Sequence, residues 1–143
     1  MFASVLKTYG NGYVVEYVYD RLENLKEIWY TKDGTRSLAY SYEYTNVGQI
    51  YKYIDHINGK TQLYKYDANN RLTDIINYDS NEYETETATS ISYNDKGDVS
   101  SVHNYFNALS SGTLSPVTNY YIYGYHPDGR LRQERIMQTR SKA

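Results

Sequence analysis

The chain has 143 residues, a formal net charge of -2 and no cysteine. That length suits one domain, the missing thiols exclude disulfides and thiolate metal sites, and the charge argues against a basic nucleic-acid-binding surface. Of the aromatic residues 20 are Tyr, against Phe 2 and Trp 1, and the mean hydropathy is -0.78, which suits a thin sheet wet on both faces better than a thick dry core.

In chain order, Met1 to Leu6 lacks the basic flank of a signal peptide, and no run approaches the length of a membrane span. Gly10-Asn11-Gly12 is a turn; no helical pattern follows it, so it is no phosphate loop. Tyr13, Val15, Tyr17 and Tyr19 alternate as in a strand, and Asp20 opens the next turn. Leu22 to Ile28 alone has helical composition, yet it stands in register with strands elsewhere. Asp33-Gly34 and Asn58-Gly59 are hairpin dipeptides whose residues tolerate positive φ. Between them Tyr40, Tyr42 and Tyr44 alternate, and Tyr64 and Tyr66 follow. Ala68-Asn69-Asn70, Asp95-Lys96-Gly97 and Pro127-Asp128-Gly129 are turns of a second type, and Asp79-Ser80-Asn81 is a weaker hairpin signal. Tyr121, Tyr123 and Tyr125 form a last alternating run. The basic segment from Arg130 to Lys142 reads as a frayed, solvated terminus.

These segments repeat one phrase five times. Tyr19, Tyr44, Tyr66, Tyr93 and Tyr125 are each followed six residues later by an apolar residue: Leu25, Ile50, Leu72, Val99 and Leu131. Three further on stand Ile28, Tyr53, Ile75 and Val102, with Glu134 in the fifth copy. Gly48, Asn70, Gly97 and Gly129 occupy the place two before the apolar residue, and Glu23 fills it in the first copy. The slot after the tyrosine holds Asp20, Thr45, Asp67, Asn94 and His126; Asp, Thr and Asn there accept a backbone N–H two residues on. The residues carrying the motif are therefore structural: Tyr17, Tyr19, Asp20 and Leu25; Tyr42, Tyr44 and Ile50; Tyr64, Tyr66, Asp67 and Leu72; Tyr93 and Val99; Tyr123, Tyr125 and Leu131. The expected fold is all-β, with antiparallel β-hairpin repeats in one extended, curved, thin sheet. Two insertions, Tyr83 to Ser90 and Phe106 to Pro116, lengthen the later repeats; the second is expected to be a mobile loop.

The pattern Tyr-x-Tyr-Asp-x-x-x-x-Leu between Asp-Gly and Asn-Gly turns resembles the YD repeat of the RHS family. Tyr64-Lys65-Tyr66-Asp67-Ala68-Asn69-Asn70-Arg71-Leu72 is close to a consensus copy, and Tyr9-Gly10-Asn11-Gly12 leading to Tyr17-Val18-Tyr19-Asp20 is similar to another common phrase. The resemblance covers residues 9–136 of a single region, 1–143. Relatives include bacterial RHS and wall-associated proteins, shell subunits of insecticidal toxin complexes, and teneurins. It implies a β-ribbon wound into a secreted or surface shell that carries a C-terminal effector. The chain departs from that pattern in having about five units, no Asp-Pro-rich junction and no toxin domain. It is expected to be a fragment of a larger chain or a short stand-alone ribbon.

No enzyme chemistry stands out. His56, His103 and His126 are isolated, so no metal site is expected. Asn94 to Asp98 lacks the ligand order of a calcium loop. Ser92, Ser100, Ser101 and Ser115 have no nucleophile context. Glu82, Glu84 and Glu86 read as a solvated strand rather than a carboxylate pair. No cofactor, nucleic acid or membrane partner is expected. The expected partners are neighbouring repeats, another copy through open sheet edges, an enclosed effector, or cell-wall glycan. The alternative function is a carbohydrate- or protein-binding module that uses exposed tyrosine rows.

Overall fold

In a computed structural model, the backbone is described for residues 2–78, 85–110 and 113–140, and side chains for 2–78, 87–105 and 118–137. The fold is all-β, with no helix among the described residues. The strands are β1 (Ala3–Thr8), β2 (Val14–Tyr19), β3 (Leu25–Lys32), β4 (Thr35–Tyr44), β5 (Ile50–Asp55), β6 (Lys60–Tyr66), β7 (Leu72–Tyr78), β8 (Thr85–Tyr93), β9 (Val99–Ser110), β10 (Thr113–Tyr125) and β11 (Leu131–Arg140). Their hydrogen-bonded order is the chain order. Two compact units divide the chain, Met1–Gln62 and Leu63–Ala143.

Each motif tyrosine ends a strand, and its apolar partner six residues on begins the next. Across the turns Tyr19 faces Leu25, Tyr44 faces Ile50, Tyr93 faces Val99 and Tyr125 faces Leu131. A β-bulge lies immediately before the tyrosine in all four pairings. It explains an odd feature of the sequence. Residues six and nine after the tyrosine differ by an odd number, which in a regular strand puts them on opposite faces. The bulge adds one residue to the second strand. Tyr17 therefore pairs with Ile28 and Tyr19 with Leu25, so all four share a face. Tyr42 with Tyr53 and Ile91 with Val102 repeat the arrangement.

The turns obey one backbone rule. In the first, the Asp20 N–H donates to the Asn24 carbonyl at 2.9 Å and the Glu23 N–H to the Asp20 carbonyl at 3.2 Å. Matching pairs of bonds close the turns at Thr45, Asp67, Asn94 and His126. The fourth residue after each motif tyrosine lies in the left-handed region: Glu23, Gly48, Asn70, Gly97 and Gly129. Only glycine enters that region without steric cost, and Asn tolerates it. The Tyr9 to Tyr13 turn has the same two bonds and the same left-handed Gly12, although Tyr9 itself fills the aspartate slot. One strand rather than two separates it from the Asp20 turn, so it lies on the opposite edge of its unit.

Three expectations need correction. Phe106 to Pro116 is not a loop: residues through Ser110 and from Thr113 onward pair as a lengthened β9–β10 hairpin. The later repeats gain strand length instead of rim. Pro116 thus lies inside a strand, opposite Asn107. Residues 131–140 form β11 against β10 rather than a frayed tail. At Asn58-Gly59 only Gly59 has positive φ; the Asp55 carboxylate organises a wider turn by accepting the Ile57 and Asn58 N–H groups at 2.9 and 3.0 Å. Asp33-Gly34 does have both residues left-handed, as a tight hairpin requires. The Asp79-Ser80-Asn81 turn, Glu82, Glu84, the Glu86 side chain, Ser111-Gly112 and the Ser115 side chain lie outside the described residues.

Candidate functional site

The first unit has two unlike faces. One carries Val15, Tyr17, Tyr19, Ile28, Tyr30, Tyr40, Tyr42 and Tyr53 by strand register. The opposite face is charged. There Arg36 binds Glu16 at 2.8 Å and lies 3.6 Å from the Trp29 ring centre, while the Trp29 indole N–H donates to Glu27 at 2.8 Å. Neither face forms a deep core. Among the described residues only Val15, Ala39 and Thr61 are buried, and no large side chain is wholly enclosed.

The tyrosine hydroxyls make a bond that the spacing alone does not announce. Tyr44 Oη donates to the Leu25 carbonyl at 2.5 Å. Tyr93 Oη donates to the Leu72 carbonyl, and Tyr125 Oη to the Val99 carbonyl, each at 2.7 Å. Every acceptor is the sixth residue after the preceding motif tyrosine. The strand-opening carbonyl of one repeat is thus tied to the strand-ending tyrosine of the next. Burial raises the pKa of Tyr44, with Tyr42 and Asp20 adding to it, so the phenol keeps its donor proton. Burial also pushes Tyr42, Tyr64 and Tyr66 up. A sequence signal for the latch existed in the constancy of Tyr, where Phe would pack as well but donate nothing.

The aspartate slot closes turns. Asp20 Oδ1 accepts the N–H groups of Leu22 and Asn24 at 2.8 and 2.9 Å, and Asp67 Oδ1 those of Asn69 and Arg71 at 2.9 and 3.0 Å. Asn94 Oδ1 does the same for Lys96 and Asp98, and Thr45 Oγ1 accepts from Gln49. In the fifth copy, His126 keeps the backbone bonds while Asp128 takes the Arg130 N–H at 3.1 Å. The second unit adds a further tie. Arg71 donates to Asp67 at 2.8 Å and lays its guanidinium 4.4 Å from the Tyr93 ring centre.

The histidines stay apart. His56 Nε2 is 2.9 Å from Ser41 Oγ. His103 stacks on Tyr120 with ring centres 4.0 Å apart, and its Nε2 is buried without a hydrogen-bond partner. Asp74, Ser90, His103 and Tyr120 do stand in one cross-strand row. Ser90 Oγ, however, donates directly to the Asp74 carboxylate at 2.8 Å, which leaves no base on the hydroxyl. Among the described residues no group of three His, Cys, Asp or Glu is placed to hold a metal ion, and no helix is long and apolar enough to cross a membrane.

Tyrosine side chains line an open hollow in each unit. One of about 320 Å³ is lined by Tyr9, Asn11, Tyr13, Val15, Tyr17 and Tyr30. The other, about 380 Å³, lies between Val99, Val102, Tyr123, Tyr125 and Leu131 in the second unit. Leu131 remains 55% exposed beside it.

This fold recurs in known structures. The chain superposes on the crystal structure of TcdB2-TccC3-Cdc42 with a TM-score of 0.74 at 21% identity, over 91% of its own length. The fold is shared. A second match is the crystal structure of TcdB2-TccC3 without hypervariable C-terminal region, with a TM-score of 0.60 at 16% identity over 94% of this chain. This chain spans 6% of the first of those chains and 8% of the second. The likeness accords with the YD-repeat resemblance carried by the motif tyrosines. No family model and no curated protein matches the sequence.

Proposed function

We propose that this chain is a structural segment of a YD-repeat scaffold, part of a secreted or surface shell that works by its shape and performs no catalysis. The observation that carries this reading is the tyrosine latch, which joins consecutive repeats through the backbone. The fold shared with the TcdB2-TccC3 chains supports it. Within such a shell the partners are neighbouring repeats and, on the enclosed side, an effector domain.

A second reading rests on the hollow between Tyr9, Tyr13, Tyr17 and Tyr30, whose ring faces and hydroxyls suit a sugar ring or a protein loop. Sizing of the purified chain by analytical ultracentrifugation, together with glycan-array screening, separates the two. The scaffold reading expects association through sheet edges, since every residue of β1 is exposed, and no glycan signal. A strictly monomeric chain that binds a defined glycan, and loses it on Tyr9→Ala, would replace the scaffold by the binding module.

A further inference from the structure

Three tyrosine–tyrosine ring contacts link four side chains of the first unit. Tyr30 meets Tyr40 edge-on at 6.2 Å between ring centres, Tyr40 stacks on Tyr53 at 6.1 Å, and Tyr53 meets Tyr42 at 5.3 Å. Tyr42 and Tyr53 are also directly opposite in the β4–β5 register, on the same face. Their rings are tilted by 35°, which turns an edge of one towards the other; the Tyr40–Tyr53 pair is nearly parallel at 15°.

We propose that Tyr42 and Tyr53 form an oxidative cross-linking site, at which a haem peroxidase with hydrogen peroxide produces a carbon–carbon bond between the two rings. Each phenol gives up one electron and one proton to become a phenoxyl radical. The two radicals couple at carbons ortho to oxygen. The ring hydrogens at those carbons then move to the oxygens and restore both phenols. In sum two electrons and two protons leave the pair, and they convert one hydrogen peroxide to two waters. Ordinary side-chain fluctuation closes the remaining gap between the rings. Tyr40, in ring contact with Tyr53 and with Tyr30, passes the pair an oxidising equivalent captured elsewhere on the row. The product bridges the turn from Thr45 to Gln49 and fixes β4 to β5 covalently, a fitting reinforcement for a sheet with so little buried interior.

The test is peroxidase and hydrogen peroxide treatment of the dilute, folded chain. Dityrosine fluorescence, intact mass and peptide mapping are the readouts. The expected product is a monomer lighter by two hydrogens, with the cross-link mapped to Tyr42 and Tyr53. Tyr53→Phe keeps the ring but carries no phenolic hydrogen, so it should lose most of the intramolecular dityrosine; Tyr105→Phe should lose none. The same treatment in denaturant should scatter the cross-links. A principal product linking other tyrosines, Tyr40–Tyr53 included, overturns the assignment. So does an unchanged yield in Tyr53→Phe, or an absence of dityrosine from the folded chain. Far-UV circular dichroism of Tyr53→Phe guards against misfolding, and the wild-type peptide map decides the matter if that variant does not fold.

Discussion

Tyr93 Oη lies 2.7 Å from the Leu72 carbonyl oxygen, twenty-one residues back along the chain. The pair repeats as Tyr44 with Leu25 and Tyr125 with Val99. Removing one such hydroxyl leaves packing intact and deletes a single hydrogen bond. Tyr44→Phe, Tyr93→Phe and Tyr125→Phe should each destabilise by about 0.5–1.5 kcal/mol in urea unfolding. The losses should add, since the three bonds share no residue. Tyr105→Phe, an exposed ring, should fall within about 0.5 kcal/mol of wild type.

Acid should loosen two turns selectively. The Asn24 N–H holds the Asp20 carboxyl below its ordinary range, and the Arg71 N–H does the same for Asp67. Both values are lower in the folded chain than in the unfolded one. The stabilisation is therefore complete above the unfolded value, about pH 4, and is lost as pH falls through the folded value. Asp55, held down by the Asn58 side chain, adds in the same direction. The variant Asp20→Asn/Asp67→Asn should show a shallower fall of the urea midpoint on acidification. The uncharged Asn94 turn already has this chemistry, and an Asn94→Asp variant should steepen the fall.

Glu23 occupies φ +65°, where the other copies place Gly or Asn. Glu23→Gly relieves the side-chain clash at some cost in unfolded-state freedom, so a net gain of roughly 0.5–1 kcal/mol is expected in thermal or urea unfolding. Gly48→Ala should do the reverse. A Cβ there meets nothing within 4 Å, so the penalty comes from the backbone alone.

His103 should be a stability residue without being a functional one. Its buried Nε2 has no partner, and leaving such a group unpaired costs about 1–3 kcal/mol. His103→Phe keeps the stack on Tyr120 and should raise the urea midpoint, whereas His103→Ala should lower it.

Leu72→Ala should cost more than Thr73→Ala. Leu72 is a half-buried strand opener, and burying such a side chain fully is worth roughly 1.5–3 kcal/mol. Thr73 contributes one hydrogen bond to Asp74. Equal shifts of the denaturation midpoint would contradict a packing role for Leu72.

The strands and turns of this chain were legible because each is written locally. Alternating tyrosines mark strands, and Gly48, Asn70, Gly97 and Gly129 recur two residues before the apolar strand opener, a place the structure shows to be left-handed. What the sequence hid was relational. The bulge before each motif tyrosine is a property of two paired strands, and the acceptor of the Tyr93 hydroxyl lies in another repeat. The stretch from Phe106 to Pro116 misled because Ser, Gly and Pro read as loop residues, although pairing across the hairpin holds most of them extended. The Tyr9 turn went unrecognised as a motif turn because a tyrosine fills the aspartate slot.

The scarcity of buried side chains has a mechanical corollary. With only Val15, Ala39 and Thr61 buried among the described residues, each strand is held by the strands beside it and by very little else. Resistance to pulling is then a local matter, renewed at each latch. Drawn from its two termini, such a chain should peel one hairpin at a time from the ends inward, giving a staircase of small, similar force steps rather than a single rupture.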